Sequence, residues 1–298
     1  MTADTRDPVD AILAVCGISG PWEPLHATGI ANRIYATETV VVRVATDHAE
    51  ALSDARTESV AAPVAYAAGI RTPRLLVFDD SMRLLDRPYS VWERVHGQTL
   101  GCLPPEQRSM RNTWRDVGRQ LALLHRRVDR CDDPRGYLDK PERNLDLHNL
   151  LEKLVSMGRV DGNSAREISR LINRLRHEAL EDAKECFLHN DIHDMNIMCS
   201  QTGELMAVLD WGDAGWGDPT IEFAQIPLSA IPCVLNGYRE IAPDLLGETP
   251  GARIVWDKLD YAMEELAQNP AYSIPLEEYW QFLDSEDCLA QEPKWRKP

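Results

Sequence analysis

The 298-residue sequence predicts an α+β fold of two lobes, a small N-terminal β-sheet lobe followed by a larger, mainly helical C-terminal lobe. Three observations carry this expectation. Runs rich in β-branched and aromatic residues dominate the chain up to Gly97, three- and four-residue apolar spacing dominates after Pro104-Pro105, and a short hairpin signature interrupts the helical part near residue 200. With 44% hydrophobic residues the chain can bury a substantial core. The expected division is residues 1–97 and 98–298, because Leu103-Pro104-Pro105 is too short for a free linker and marks the start of the helical lobe.

In chain order, residues 28–35 and 39–44 read as a hairpin carrying Gly29, Asn32 and Arg43. Residues 49–68 are helix-like apart from Pro63 and contain Glu58. Residues 74–80 and 89–97 have the content of paired strands, the second including Trp92, Glu93 and Val95. Trp114, Val117, Leu121, Leu124 and Val128 then define one apolar helix face, on which His125 reads as a packed structural histidine. Ser164-Ala165-Arg166-Glu167 reads as a capping box opening a helix through Ile168, Leu171, Ile172 and Leu175. Residues 197–199 and 205–209 read as two short strands joined by a turn at Gln201-Thr202-Gly203.

That hairpin joins the most distinctive polar residues. Leu188-His189-Asn190-Asp191-Ile192-His193-Asp194-Met195-Asn196 fits H-x-D-x-x-x-x-N, and Asp210-Trp211-Gly212 follows fourteen residues after the Asn. In such a pattern the Asp positions a hydroxyl nucleophile and accepts its proton, while the Asn and the second Asp hold a metal ion. Folding the hairpin brings Asn196 and Asp210 side by side. Phosphoryl transfer asks mainly for charge neutralisation and alignment, which two carboxylates, an amide and magnesium can supply. A metal-dependent hydrolase, with His189, Asp191, His193 and Asp194 as direct ligands, is the weaker reading, since no second H-x-H or C-x-x-C cluster is present.

These residues resemble the aminoglycoside phosphotransferase and choline kinase-like family, whose fold is protein-kinase-like. The stretch from Val208 through Asp210-Trp211-Gly212 to Gly217-Asp218-Pro219, with Glu222 beyond it, is similar to the family's strand, metal-binding Asp and G-D-P block. The resemblance implies an ATP- and Mg2+-dependent transfer of the γ-phosphoryl group to a small-molecule hydroxyl. It implies Asp191 as catalytic base, Asn196 and Asp210 as magnesium ligands, Asp218 as a hydrogen-bonding brace of the catalytic loop, and His193 at a phosphate-contacting position. It also implies a nucleotide-binding N-terminal lobe: Gly29 and Asn32 in the phosphate-covering hairpin, Arg43 paired with Glu58, and a hinge in which Trp92 stands beside the adenine while the Glu93 carbonyl and Val95 amide meet its edge. Arg43 departs from the lysine that kinases commonly carry. A nucleotide-binding pseudoenzyme is therefore the alternative, and retention of Asp191, Asn196 and Asp210 favours the enzyme.

The formal net charge of -16 argues against nucleic acid or an anionic membrane as partner. It suits a cationic acceptor, and an aminoglycoside, hence antibiotic resistance, is one of the open substrate classes. Nine carboxylates between Asp257 and Asp287, against the single base Lys258, with Tyr261, Tyr272, Tyr279 and Trp280 among them, form the expected acceptor wall; a solvated helix face is the plainer reading. No signal-peptide pattern or membrane-length apolar run is present, and the seven scattered cysteines read as reduced thiols, so a cytoplasmic protein is expected. Oligomeric state is not readable from the chain.

Overall fold

The computed structural model describes residues 8–25, 31–104, 110–179, 184–247 and 250–285. Thr28, Gly29 and Ile30 of the expected hairpin, Pro105, and the last two acidic residues, Glu286 and Asp287, lie outside them.

The N-terminal part is helix α1 (Pro8–Val15) and a five-stranded antiparallel sheet of β1 (Glu23–Leu25), β2 (Asn32–Ala36), β3 (Val40–Ala45), β4 (Leu75–Asp79) and β5 (Tyr89–Glu93), in the order β1-β2-β3-β5-β4. Alternation along β3 gives the sheet two different faces. Val40, Val42 and Val44 pack with Tyr89 and Val91 against Val9, Ile12 and Leu13 of α1. Val41 and Arg43 point the other way, paired in register with Trp92 and Ser90. On that second face lies α2 (Ala51–Ala67), which runs straight through Pro63. Pro63 sits on the exposed side, while Ala61, Ala62 and Ala65 are buried against Trp92, Leu124 and Trp211. The buried alanine face thus outweighs the hydrogen bond that proline removes.

The C-terminal part begins with β6 (Gln98–Thr99) and continues through helices α3 (Arg111–Arg127), α4 (Leu147–Ser156) and α5 (Gly162–Ala179). Strands β7 (Cys186–Leu188), β8 (Ile197–Cys199), β9 (Leu205–Val208) and β10 (Gly215–Gly217) follow, then helices α6 (Ile231–Ile241), α7 (Pro250–Gln268) and α8 (Leu276–Asp284). Trp114, Val117 and Leu121 of α3 are buried as the spacing predicts. Helices α3 and α6 meet backbone to backbone: a Cβ on Gly118 would strike the Val234 carbonyl, and one on Gly237 the Arg115 carbonyl. The capping expectation shifts by three residues. Asp161, not Ser164, caps α5, accepting the Asn163 and Ser164 amides at 2.7 and 3.1 Å, because a carboxylate there can take two N–H groups at once.

Two small sheets carry the polar motif. β7 pairs with β10, and the β8–β9 hairpin pairs with β6 through Gln98↔Cys199, close to the end of β5. Among the described residues no helix is long and apolar enough to cross a membrane, and the six cysteines there are all free.

Candidate active site

The loop leaving β7 is fixed before it reaches any reactive group. The Glu222 carboxylate, fully buried, accepts the His189 amide at 2.6 Å and the Asn190 amide at 2.8 Å. Asn190 turns the chain with φ of 68°, a left-handed conformation that asparagine tolerates better than most residues. The His189 ring accepts the Asp191 amide on Nδ1 at 3.2 Å and donates from Nε2 to the Leu209 carbonyl at 2.9 Å. One neutral tautomer satisfies both bonds, and Trp211 packs on the ring at 4.5 Å between centroids. The loop is therefore stapled to the end of β9.

Asp191 follows this staple. Its Oδ1 accepts from Gln225 Nε2 at 2.6 Å and its Oδ2 from Asn196 Nδ2 at 2.7 Å, with His193 Nε2 3.5 Å from Oδ2. Burial alone would raise the carboxyl pKa, but His193, His189 and Gln225 overcome it and hold the pKa below the ordinary value. The bond to Asp191 correspondingly raises His193. Asp191 is a carboxylate at neutral pH, with lone pairs left on both oxygens to receive a proton.

Asn196 Nδ2 donates to both the carbonyl and the carboxylate of Asp191, which leaves Oδ1 as the atom that could ligate a metal. The Leu209 amide donates to the Asn196 carbonyl at 2.8 Å, so the hairpin sets Asp210 beside Asn196. Asp210 has φ of 63° and a side chain 45% exposed, which presents an anionic oxygen to solvent. Among the described residues no cluster of three His, Cys, Asp or Glu side chains could hold a metal by itself. One amide oxygen and one carboxylate still fit magnesium, which keeps waters and takes phosphate oxygens to complete an octahedron.

Facing this pair from β3 is Arg43. Its Nη1 lies 2.5 Å from Glu58 Oε1 on α2, and its Nη2 lies 3.7 Å from Asp210 Oδ1. Burial opposes its charge, but Glu58 and Asp210 raise its pKa, so it stays cationic. Burial, and then the charge of Asp210, push Glu58 up to about 7 despite Arg43. The same surroundings push Asp54 up to about 6, burial first and then Asp210, and Asp213 up to about 7, burial first and then Asp191. This crowding of carboxylates marks a place where a cation would be welcome.

The structure thus brings together Asp191, His193, Asn196, Asp210, Arg43 and Glu58. Asn32 opens β2, and Glu93 and Val95 end β5 and begin the passage to β6. Trp92 shares the sheet face of Arg43 but is only 5% exposed, packs among Ala61, Ala62 and Trp211, and donates its indole N–H to Ser90 at 2.8 Å; it is a core side chain. Gly29 lies outside the described residues.

Two expectations are corrected. Asp218 does not brace the catalytic loop: it accepts from Arg143 at 2.7 Å and from the Thr220 amide at 2.9 Å, while the longer Glu222, in the 3-10 turn Ile221–Phe223, reaches the loop. The acidic stretch is no continuous acceptor wall. Asp257 is buried against Arg143, Asp260 accepts from Asn144, and buried Tyr279 donates to the Lys258 carbonyl, whereas Glu264, Glu277, Glu278 and Asp284 are exposed. Tyr261 is half-buried on α7, its hydroxyl pushed up to about 12 by burial, then by Glu265, Tyr272 and Asp191. Gln225 was not foreseen, and a lone glutamine carries no spacing signal that could have found it.

Residues 23–236 match the model of the phosphotransferase enzyme family. No curated protein matches the sequence. Among solved structures, a choline/ethanolamine kinase family protein from Mesorhizobium loti superposes with a TM-score of 0.60 at 17% identity, covering 96% of this chain and 98% of the other. The GDP and kanamycin complex of APH(2")-IIIa gives 0.60 at 16% identity, over 95% and 98%. The streptomycin-ATP-APH(2")-IIa ternary complex gives 0.58 at 16%, over 97% and 99%. At such identities the likeness is one of fold, and that fold is protein-kinase-like.

Proposed function

The chain belongs to the phosphotransferase enzyme family and is a small-molecule kinase of that family, and from this premise we propose that it transfers the γ-phosphoryl group of ATP, with Mg2+, to a hydroxyl of a cationic small molecule. The observation that carries the reading is the reach of Arg43 from β3 to both Glu58 and Asp210. A cation on the sheet and a carboxylate on the hairpin face each other where triphosphate and metal would lie. Asn196 Oδ1 and Asp210 would hold magnesium, which when bound neutralises charge on the phosphate oxygens.

The other steps belong to the chain's own residues. Asp191 aligns the acceptor hydroxyl and takes its proton as the oxygen bonds to the γ-phosphorus and the bond to the β-phosphate oxygen breaks, releasing ADP. Arg43 supplies positive charge beside the transferring group, and His193 can offer an N–H donor from Nε2. Tyr261, which feels the charges of both Asp191 and Glu265, supports an acceptor bearing amino groups, through carboxylate and aromatic contacts. The overall acidity of the chain points the same way, and the absence of any anion-attracting surplus fits neither nucleic acid nor anionic lipid.

The test is a mass-spectrometric screen of the purified protein with MgATP and hydroxylated compounds, among them kanamycin, streptomycin, amino alcohols and neutral sugars, beside Asp191→Ala. A phosphoryl mass increment on a cationic compound, reduced about 100-fold or more in the variant, is expected. An increment on neutral sugars alone would remove the cationic preference. MgATP binding without transfer to any compound would make the protein a nucleotide-binding module.

A further inference from the structure

The segment after the G-D-P block touches the catalytic loop at two points, and both contacts end on groups that matter. Glu222 holds the His189 and Asn190 amides, and three residues later Gln225 donates to the Asp191 carboxylate at 2.6 Å. The turn between them is held from below by Lys258 of α7. Its ammonium is buried and donates to three main-chain carbonyls, Phe223 at 3.4 Å, Ala224 at 3.0 Å and Ile226 at 2.6 Å. An ammonium has three N–H groups, and here all three go to the backbone that flanks Gln225. Lys258 makes no ion pair among the described residues and lies outside the Asp191 cluster. All of its hydrogen bonds serve the turn.

We infer that Gln225 is a positioning residue for Asp191, and that Lys258 fixes the turn that delivers it. This rests on Asp191 being the base. The chemistry favours an amide in this place. A lysine or arginine at 2.6 Å would add a full positive charge and weaken the carboxylate as a base much more, whereas a neutral donor lowers its basicity only through one hydrogen bond while fixing the orientation of Oδ1. With Asn196 on Oδ2, the carboxylate is held from both sides, so its remaining lone pairs keep one direction toward the acceptor. Neither contact is local in sequence: Gln225 lies 34 residues from Asp191, and Lys258 lies 32 to 35 residues from the carbonyls it caps.

The test uses the full chain with MgATP and the hydroxyl acceptor found by the screen, and with water as acceptor where the screen finds none. Gln225→Met, close in shape but without a donor, should lower kcat about 10- to 100-fold, with KM for MgATP and acceptor within about twofold of the parent and an unchanged melting temperature. In an Asp191→Asn background the same change should have no further effect, since it acts through the carboxylate. Lys258→Met should lower kcat in the same way and should not add to Gln225→Met. Full kcat in Gln225→Met, or an equal loss in both backgrounds, overturns the inference. Undiminished turnover in Asp191→Asn would instead defeat the base assignment itself, a distinguishable failure. A crystal structure of Gln225→Met gives a check free of activity: an Asp191 carboxylate that keeps its orientation also overturns the inference.

Discussion

Two partly buried arginines, each beside a carboxylate, show how this fold separates chemistry from architecture. Arg143 is saturated: Nε and Nη2 meet both oxygens of Asp257 at 2.7 and 2.8 Å, Nη1 meets Asp218 at 2.7 Å and the Ala179 carbonyl at 3.1 Å, and Nη2 also meets Thr220 at 2.6 Å. Arg43 has one short partner, Glu58, and a looser one, Asp210, at 3.7 Å. Exposure divides them in the same way. The Asp257 side chain is 6% exposed and the Asp210 side chain 45%. A saturated, sealed ion network has no capacity left for a ligand, whereas a cation between two carboxylates, one of them open to solvent, can exchange a partner for phosphate or share one with a metal.

The largest way to break this contrast is Arg143→Met. Removal of the cation leaves Asp257 buried without its charge partner, while Asp218 keeps only Arg253 at 3.7 Å, a loss of about 3–5 kcal/mol of stability, read as a lower denaturant midpoint. MgATP affinity of the folded variant should stay within a factor of about two, because none of these groups faces Asp191 or Asp210. Adding Asp257→Leu to Arg143→Met should recover part of the stability, since an apolar pair needs no desolvation. A loss under about 1 kcal/mol would show that the network is open to water and would erase the difference from Arg43.

The same two regions explain what the sequence could and could not tell. His189 meets Asp191 across two residues and Asp191 meets Asn196 across five, and a hairpin returns Asp210 to them, so spacing alone assembles the cluster. Arg43 and Glu58 are fifteen residues apart, joined by one strand and one helix, and were also legible through family likeness. Asp257 meets Arg143 across 114 residues, and no local pattern announces such a pair. Helix α7 compounds the problem by burying every position from Arg253 to Leu259, so no polar stripe distinguishes carboxylates that face water from those that face the core. Helix α3, amphipathic by contrast, was read correctly from five apolar positions. The Glu222 and Gln225 contacts fall between these cases: an acidic residue after G-D-P is visible in the sequence, but only the three-dimensional turn decides which of two nearby carboxylates, Asp218 or Glu222, reaches the loop.

A pH series sharpens the comparison next. Glu58, raised from 4.5 to about 7, binds its proton more tightly in the folded protein, so its contribution is fully present below pH 4.5 and is lost as pH rises toward 7. Asp257, raised from 3.8 to about 6, acts with the same sign over a lower range. Between pH 6 and 7 Asp257 is already ionised, and Glu58 and Asp213 remain. Stability should therefore fall with rising pH in that interval by up to about 1.4 kcal/mol per unit for the buried Glu58, and by less for Asp213, which solvent screens. Glu58→Gln should reduce the slope there, and Asp257→Asn should alter it only below about pH 6. Urea unfolding at half-unit steps measures both, and identical slopes in the parent and Glu58→Gln would mean that Glu58 is ionised throughout.

The smallest expected effect probes the geometry of Arg43 itself. Lysine keeps the charge but loses the planar fork, so it can meet Glu58 or Asp210 but not both in the present arrangement. Because Glu58 supplies the short contact and Asp210 only the 3.7 Å one, Arg43→Lys should retain the Glu58 pair and lose the reach to the hairpin. Stability should change by less than about 1 kcal/mol, and MgATP affinity by less than about tenfold in calorimetric titration. The equivalent change at Arg143 would strip a bidentate partner from Asp257 and should cost more stability with no change in MgATP affinity. A fall in MgATP affinity beyond about 100-fold in Arg43→Lys would mean that the fork, rather than the charge, is what the nucleotide requires. The substitution of arginine for lysine at this strand position would then be a specific adaptation of the phosphate site, with Glu58 and Asp210 arranged around the width of a guanidinium.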